Sequence, residues 1–142
     1  ETERVSHILK ELGYRDFMVV SGEDRKGRRF DEISNIGPTK ISEYKNNKLK
    51  TYIVEPENFG IVTSEYKYIK EGTTVKDNAK KMLDVFRNQA TASARDVVSI
   101  NAGALIYIAD KAENIKEGVK MAEKVIESGR AFEKFKNLRD HR

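Results

Sequence analysis

The fold of this chain is decided by a short stretch near its start, VSHILKELGYRDFMVVSG, which covers residues 5–22. Its apolar residues first recur with the spacing of one helical face, at Val5, Ile8, Leu9 and Leu12. Gly13 then ends the predicted helix. The continuous apolar run 17–20 that follows is typical of a strand covered on both faces. A helix, a turn and a buried strand in this order predict an α/β sheet.

Two further strands are predicted downstream of this unit. Residues 40–45 and 49–54 contain β-branched and aromatic side chains of the kind that strands favour. The pair Asn46-Asn47 lies between them and tolerates the positive φ angles of a tight hairpin turn. We therefore expect a β-hairpin with its turn at this pair.

Four helices are predicted after Gly72, where the composition changes. Three of them begin with capping pairs, which are Thr74 with Asp77, Ser93 with Asp96, and Asn114 with Glu117. The fourth follows a break at Ser128-Gly129. The helix that begins near Ser93 is apolar on nearly all sides, so we expect it to be the most buried.

The length and composition fit one ordinary domain. We expect a single module over residues 1–142, with a helix, strand and hairpin part over 1–70 and a helical part over 73–142. The chain has no cysteine, which excludes disulfides, cysteine-bound zinc and a thiol nucleophile and fits a reducing compartment. Its apolar runs are too short for a membrane span, and its charged start does not resemble a signal peptide. A cytoplasmic location is therefore the expectation.

Asp31 and Glu32 are the strongest candidate site that the residues themselves indicate. Two adjacent carboxylates at the junction of a loop and a strand can both reach one hard cation. In a regular strand, however, neighbouring side chains face apart. Charged residues make up 35% of the chain, so acidic pairs also arise by chance, as at Glu23-Asp24. Spacing alone favours a solvated pair over a metal site.

The loop over residues 22–29 imitates a phosphate-binding P-loop only in the spacing of its glycines. Arg28 stands where the phosphate-binding lysine is needed, and Arg29 replaces the Ser or Thr that binds Mg²⁺. Together with Arg25 and Lys26 these residues could meet phosphates, but acidic residues lie beside them. A solvated, charged loop is the preferred interpretation.

Several spaced motifs resemble the C-terminal part of the anthranilate phosphoribosyltransferase family. In the first half they are Asp31-Glu32-Ile33-Ser34, Gly37-Pro38-Thr39 and Pro56-Glu57-Asn58-Phe59-Gly60. In the helical half they are Asn101-Ala102, Ala104-Leu105, Ala109, Ala112, Gly118, Ala122, Ile126, and Ser128-Gly129 with Ala131. The resemblance covers essentially the whole chain. Two departures are Ser21, in place of the histidine of the family's Val-His-Gly strand end, and a longer, more charged loop over 23–30.

The resemblance implies a transferase of tryptophan biosynthesis that moves the phosphoribosyl group from phosphoribosyl pyrophosphate to anthranilate. It implies an α/β domain of the nucleoside phosphorylase and phosphoribosyltransferase type, with a mixed sheet and a hairpin flanked by helices. It assigns Asp31 and Glu32 to the Mg²⁺ that accompanies phosphoribosyl pyrophosphate, and it assigns no catalytic residue to this chain.

The family's pyrophosphate-cradling loop and anthranilate contacts lie upstream of the part that this chain resembles. The resemblance therefore implies that the chain alone is inactive and needs a missing N-terminal segment as its partner. It also implies a homodimer formed through that segment, and neither a nucleic-acid nor a membrane partner.

Two alternatives remain open on the sequence. One is a fragment of a pyrimidine-nucleoside phosphorylase, which shares the fold class. The other is a free-standing basic module that binds nucleic acid, which only the net charge of +4 favours. Binding that weakens steeply with salt would identify the second alternative, because contacts to phosphates release counterions.

Overall fold

A computed structural model describes residues 1–141 of the chain. The strands are β1 (Phe17–Glu23), β2 (Arg29–Phe30), β3 (Thr39–Lys45) and β4 (Lys48–Val54). The helices are α1 (Thr2–Glu11), α2 (Tyr66–Ile69), α3 (Val75–Phe86), α4 (Ala92–Ile108), α5 (Ile115–Glu127) and α6 (Arg130–Asp140), with a 3₁₀ turn at Pro56–Phe59. Among these residues, no helix combines the length and the hydropathy that crossing a bilayer requires.

The four strands form one sheet in the order β2-β1-β3-β4, so the predicted α/β class is confirmed. The predicted hairpin is β3 and β4. Its turn is at Asn46 and Asn47, whose φ angles are 51° and 61°. Asparagine reaches this left-handed region at less cost than most residues, because its short polar side chain can bond locally to the backbone.

The pairings are antiparallel throughout residues 1–141, where a mixed sheet is predicted. The residues of β1 form a continuous apolar run because side chains on both faces of the strand pack against other residues, and not because the strand pairs in parallel. Met18 and Val20 pack against the core, and Phe17 lies on the other face with its ring centroid 5.3 Å from that of Tyr44. Because β2 pairs with only the last two residues of β1, the same edge of residues 17–21 has no strand partner within the described chain.

One hydrophobic core joins the sheet to the helices behind it. Its buried members come from β3, α4, α5 and the connecting loops, and they are Ile33, Ile41, Phe59, Ile61, Ile100, Ala104, Ile115 and Val119. Helix α4 lies at the centre of this core, with Ile100 fully buried. The cover of α4 is not complete, because Leu105 on its outer side is 72% exposed.

Helices α4 and α5 approach each other at backbone distance. A Cβ atom added at Gly103 would lie 2.5 Å from the backbone nitrogen of Val119, and one added at Gly118 would collide with the carbonyl oxygen of Gly103. Only glycine permits such an approach, since every other residue carries a Cβ. These two glycines therefore set the spacing of the helix pair.

Two of the three predicted capping pairs are confirmed, and one is shifted. Thr74 and Asn114 cap α3 and α5 as predicted. Helix α4 is capped by Thr91 instead of Ser93. The hydroxyl of Ser93 meets the hydroxyl of Ser64, so Ser93 lies inside the first helical turn and bonds to a neighbouring loop.

Helix α1 carries its apolar stripe toward solvent. Val5, Ile8 and Leu12 are between 42% and 69% exposed, and together they form what we call the α1 apolar face. The buried residues of α1 are Thr2 and Ser6, which bond to Ser42 of β3. The predicted helix is present, but an apolar stripe of this kind normally packs against another element.

A carboxylate is held between the sheet and α4. Glu43 of β3 accepts hydrogen bonds of 2.7 Å from the hydroxyl groups of both Tyr52 and Tyr107. Burial and the bond to Glu43 raise the pKa of Tyr107 to about 12, so this phenol stays protonated as a donor at neutral pH. The network satisfies a charge that would otherwise be costly to bury.

We expect Tyr107→Phe to lower the free energy of unfolding by about 1.5–3 kcal/mol, because it removes a hydrogen bond to a charged group. Urea denaturation of the variant beside the parent chain measures the loss. Tyr14→Phe is the control, since Tyr14 is 58% exposed. Equal stabilities of the two variants would contradict a stabilising role for the Glu43 network.

Candidate functional site

Asp31 and Glu32 lie directly after β2, at a bend that leads toward β3. Both residues are exposed. Because the backbone bends here, the strict alternation that turns neighbouring strand side chains to opposite faces does not apply. The two candidate metal ligands therefore share one short surface segment, which we call the acidic bend.

The end of β1 supports the acidic bend from one side. A Cβ atom added at Gly22 would lie 2.5 Å from the carbonyl oxygen of Glu32, so the two backbones touch. Just after the bend, the hydroxyl of Ser34 donates to the carbonyl oxygen of Glu23 at 2.9 Å. The backbone nitrogen of Ser34 donates to the hydroxyl of Thr39, also at 2.9 Å. These contacts tie the bend to both neighbouring strands.

Helix α4 supports the acidic bend from the other side, through Asn101. Its Oδ1 accepts a hydrogen bond from the backbone nitrogen of Ile33 at 2.9 Å, and its Nδ2 donates to the carbonyl oxygen of Ile33 at 3.0 Å. In the sequence, Asn101 stands out only as part of the family resemblance, which does not give it this role. An amide between the apolar residues Ile100 and Ala102 of a helix signals a buried hydrogen-bonding role, although it does not identify the partner.

A second amide fixes the loop further along. The Nδ2 of Asn35 donates to the carbonyl oxygen of Ser93 at 2.8 Å, and the backbone nitrogen of Ser64 donates to the carbonyl oxygen of Asn35 at 2.9 Å. Asn35 itself is fully buried. The loop that follows the acidic bend is thus held to the first turn of α4.

The surroundings of Glu32 disfavour a negative charge on its carboxylate. Partial burial and the neighbouring charge of Asp31 raise the pKa of Glu32. Both causes act against the ionised form of Glu32, because its carboxylate is partly desolvated and a like charge lies beside it. A cation bound at the bend would counter both effects.

The donor set fits a hard cation that completes its coordination elsewhere. Nowhere in residues 1–141 do three or more His, Cys, Asp or Glu side chains come together as a metal-holding group. Two carboxylates alone suit Mg²⁺, which keeps several waters and binds proteins through one or two carboxylates beside substrate phosphates. A closed zinc site, with its four protein ligands, does not fit.

The basic turn before the bend does not form a phosphate cradle. The carboxylate of Asp24 accepts hydrogen bonds of 2.8 Å from the backbone nitrogens of Arg28 and Lys26, and these bonds lower its pKa. A P-loop would aim such N–H groups at a phosphate. The guanidinium of Arg28 stacks over the ring of Tyr66, 4.0 Å from its centroid. The backbone N–H groups of the turn are therefore occupied by the carboxylate of Asp24 and are not directed at a phosphate.

The family model described as glycosyl transferase family, a/b domain, matches residues 2–132. The chain is 37% identical over 136 residues to the anthranilate phosphoribosyltransferase of Clostridium kluyveri, a match that covers 96% of this chain and 39% of the relative. It is 35% identical over 138 residues to the enzyme of the same name from Methanosarcina acetivorans, covering 97% of this chain and 35% of the relative. The chain thus spans about two fifths of the length of the curated relatives it matches.

Solved structures of the same name share the fold. The crystal structure of anthranilate phosphoribosyltransferase from Thermus thermophilus superposes with a TM-score of 0.79 at 29% identity, over 92% of this chain and 36% of that one. The Saccharomyces cerevisiae enzyme in complex with PRPP and Mg superposes with a TM-score of 0.67 at 28% identity, over 82% and 32% of the two chains.

Proposed function

The chain belongs to the glycosyl transferase family, a/b domain, and from this premise we propose that it is part of an anthranilate phosphoribosyltransferase. The complete enzyme would transfer the phosphoribosyl group from phosphoribosyl pyrophosphate to the amine of anthranilate, in tryptophan biosynthesis. The observation that carries this proposal is the 37% identity to a relative of that name over 96% of the chain. We further propose that the complete enzyme is a cytoplasmic homodimer.

Asp31 and Glu32 would hold Mg²⁺ on the pyrophosphate of the substrate. The exposed pair and its oxygen donors support this role, as does the like-charge repulsion that a cation would relieve. When bound, Mg²⁺ supplies positive charge to the pyrophosphate as it leaves the ribose. The two carboxylates would supply oxygen ligands to the ion, beside water and the phosphate oxygens of the substrate. No residue of this chain has to act as a nucleophile, because the amine of anthranilate attacks.

The partner of this chain would be the N-terminal segment of the family fold. Two features described above support that partner: the α1 apolar face and the unpaired edge of residues 17–21. Exposed apolar side chains and an open strand edge both favour association with another element. A strand that pairs with β1 at this edge would also complete the sheet.

We expect the 142-residue chain alone to form no phosphoribosylanthranilate, and to gain turnover when it is mixed with the N-terminal segment. The N-terminal segment would supply the pyrophosphate-cradling loop and the anthranilate contacts. Product fluorescence measures the reaction. Ile8→Asp should prevent the gain in activity, because it places a charge on the α1 apolar face.

His7→Asp is the matched control for this experiment. His7 is an exposed residue of the same helix and does not belong to the α1 apolar face, so activity should still be regained. Strong turnover by the chain alone would contradict the proposal. Equal activity of the Ile8→Asp and His7→Asp mixtures would show that the segment does not dock on α1.

A further inference from the structure

The peptide group between Glu32 and Ile33 is held from two sides. Its carbonyl oxygen lies against Gly22, at the position where a Cβ atom would come within 2.5 Å. Its N–H group donates to Oδ1 of Asn101 at 2.9 Å. The C=O and N–H of a trans peptide point in opposite directions. β1 therefore contacts one edge of this peptide group, and α4 forms a hydrogen bond at the opposite edge.

The orientation of the Asn101 amide is determined by its partners. Oδ1 faces an N–H donor, whereas Nδ2 faces two carbonyl oxygens, those of Ile33 at 3.0 Å and Val97 at 2.9 Å. A flipped amide would bring oxygen against two carbonyls and leave the N–H of Ile33 without an acceptor. The amide is therefore matched to its site in one orientation only.

The hydrogen bonds to Asn101 take the place of β1–β2 pairing, which does not extend to Ile33. The pairing of β2 with β1 stops at Phe30, before the acidic bend begins. Two hydrogen bonds from one side chain to the N–H and C=O of Ile33 reproduce the pattern that a neighbouring strand would supply. The side chain of Ile33 is 1% exposed and anchors the same residue in the core.

From this geometry we infer that Asn101 is a positioning residue for the acidic bend, one that fixes the backbone from which Asp31 and Glu32 extend toward the metal. The inference rests on the proposed function. Asn101 touches neither metal nor substrate in this role. It restricts rotation of the backbone next to Glu32, so that both carboxylates stay in one arrangement before the ion arrives. Hydrogen-bond partners of metal ligands typically change metal affinity about 10–100-fold when they are removed, and Asn101 would act on the two ligands through the backbone.

Asn101→Asp and Asn101→Ala test the inference in the complete enzyme. Aspartate has the shape of asparagine but turns an oxygen toward the two carbonyls, and alanine removes all three hydrogen bonds. We expect the Kd for Mn²⁺, titrated by electron paramagnetic resonance in the presence of pyrophosphate, to rise about tenfold or more. Measured at saturating Mg²⁺, kcat should recover toward the parent value in the alanine variant.

Asn114→Ala is the matched control for lost stability. Asn114 caps α5 by accepting from the backbone nitrogen of Glu117 at 2.9 Å, and removing such a cap destabilises the protein. It lies outside the acidic bend, so its Kd for Mn²⁺ should be unchanged. Circular dichroism confirms that each protein is folded at the temperature of the titration. If Asn101→Asp does not fold, Asn101→Ala and Asn101→Ser provide the comparison.

Asp31→Asn with Glu32→Gln separates the inference from the proposed function. Weak Mn²⁺ binding in this double variant and in the Asn101 variants, with normal binding in Asn114→Ala, supports both. Weak binding in the double variant but normal binding in the Asn101 variants overturns the inference alone. Normal Mn²⁺ binding in the double variant overturns the metal role of the acidic bend and the inference with it.

Discussion

Asp31→Asn combined with Glu32→Gln is expected to lower the Mg²⁺-dependent turnover of the complete enzyme by about 100-fold or more at limiting Mg²⁺. Neutral amides keep the shape of the two side chains but lose the charge that binds a hard cation. The fold should be unaffected, because both residues are exposed and contribute little packing. Initial rates titrated against Mg²⁺, together with thermal unfolding, measure the two effects separately.

Glu127→Gln combined with Glu133→Gln is the control for this double variant. It removes the same formal charge from exposed positions on α5 and α6. Its Mg²⁺ titration should match that of the parent enzyme. If the acidic bend is only a solvated turn, the curve of the Asp31 and Glu32 variant will also match, and the metal role is then excluded.

Gly118→Leu is expected to lower the free energy of unfolding by about 3 kcal/mol. Its side chain would have to enter the space that the backbone of Gly103 occupies, so α4 and α5 must separate. Such a loss is a large part of the 5–15 kcal/mol that typically stabilises a domain. Urea denaturation measures the change.

Lys120→Leu serves as the control for size and hydrophobicity. It places the same side chain on an exposed position of α5. Its stability should stay within about 0.5 kcal/mol of the parent chain. Equal losses in the two leucine variants would show that the helix pair tolerates a wider spacing than the glycines indicate.

Features encoded within a few residues could be predicted from the sequence. The turn at Asn46-Asn47 and the caps at Thr74 and Asn114 depend on backbone geometry that those side chains satisfy locally. The start of α4, in contrast, depends on contacts with residues far away along the chain. Ser93 has the right chemistry for a cap, but its carbonyl oxygen accepts from Asn35, which is 58 residues away along the chain.

Features that depend on distant partners could not be predicted in the same way. An apolar run such as residues 17–20 is compatible with parallel and with antiparallel neighbours. The pattern of apolar residues indicates which faces of the strand are buried, but it does not indicate the direction of the neighbouring strands. The spacing of apolar residues in α1 likewise predicts a helix without saying what packs against it. In this chain the sheet contacts Thr2 and Ser6 instead.

The candidate site also has a part that could be predicted from the sequence and a part that could not. The carboxylates of Asp31 and Glu32 are adjacent in sequence, so a pattern could indicate them, although only a family resemblance raised them above other acidic pairs. Gly22 and Asn101 support the bend from β1 and α4. Neither carries a sequence signal that connects it to residues 31 and 32, because the connection exists only in the folded chain.

The self-closing turn at Asp24 offers an attachment point for protein engineering. The carboxylate of Asp24 accepts hydrogen bonds from the backbone N–H groups of Lys26 and Arg28. The backbone nitrogen of Asp24 donates to the carbonyl oxygen of Arg28 at 2.9 Å, so the loop is closed at its base. Gly27 at the tip has open space around its Cβ position and a φ of 78°. A fluorophore or affinity tag inserted beside Gly27 would extend outward into solvent, and the reporter would sit only a few residues before the acidic bend.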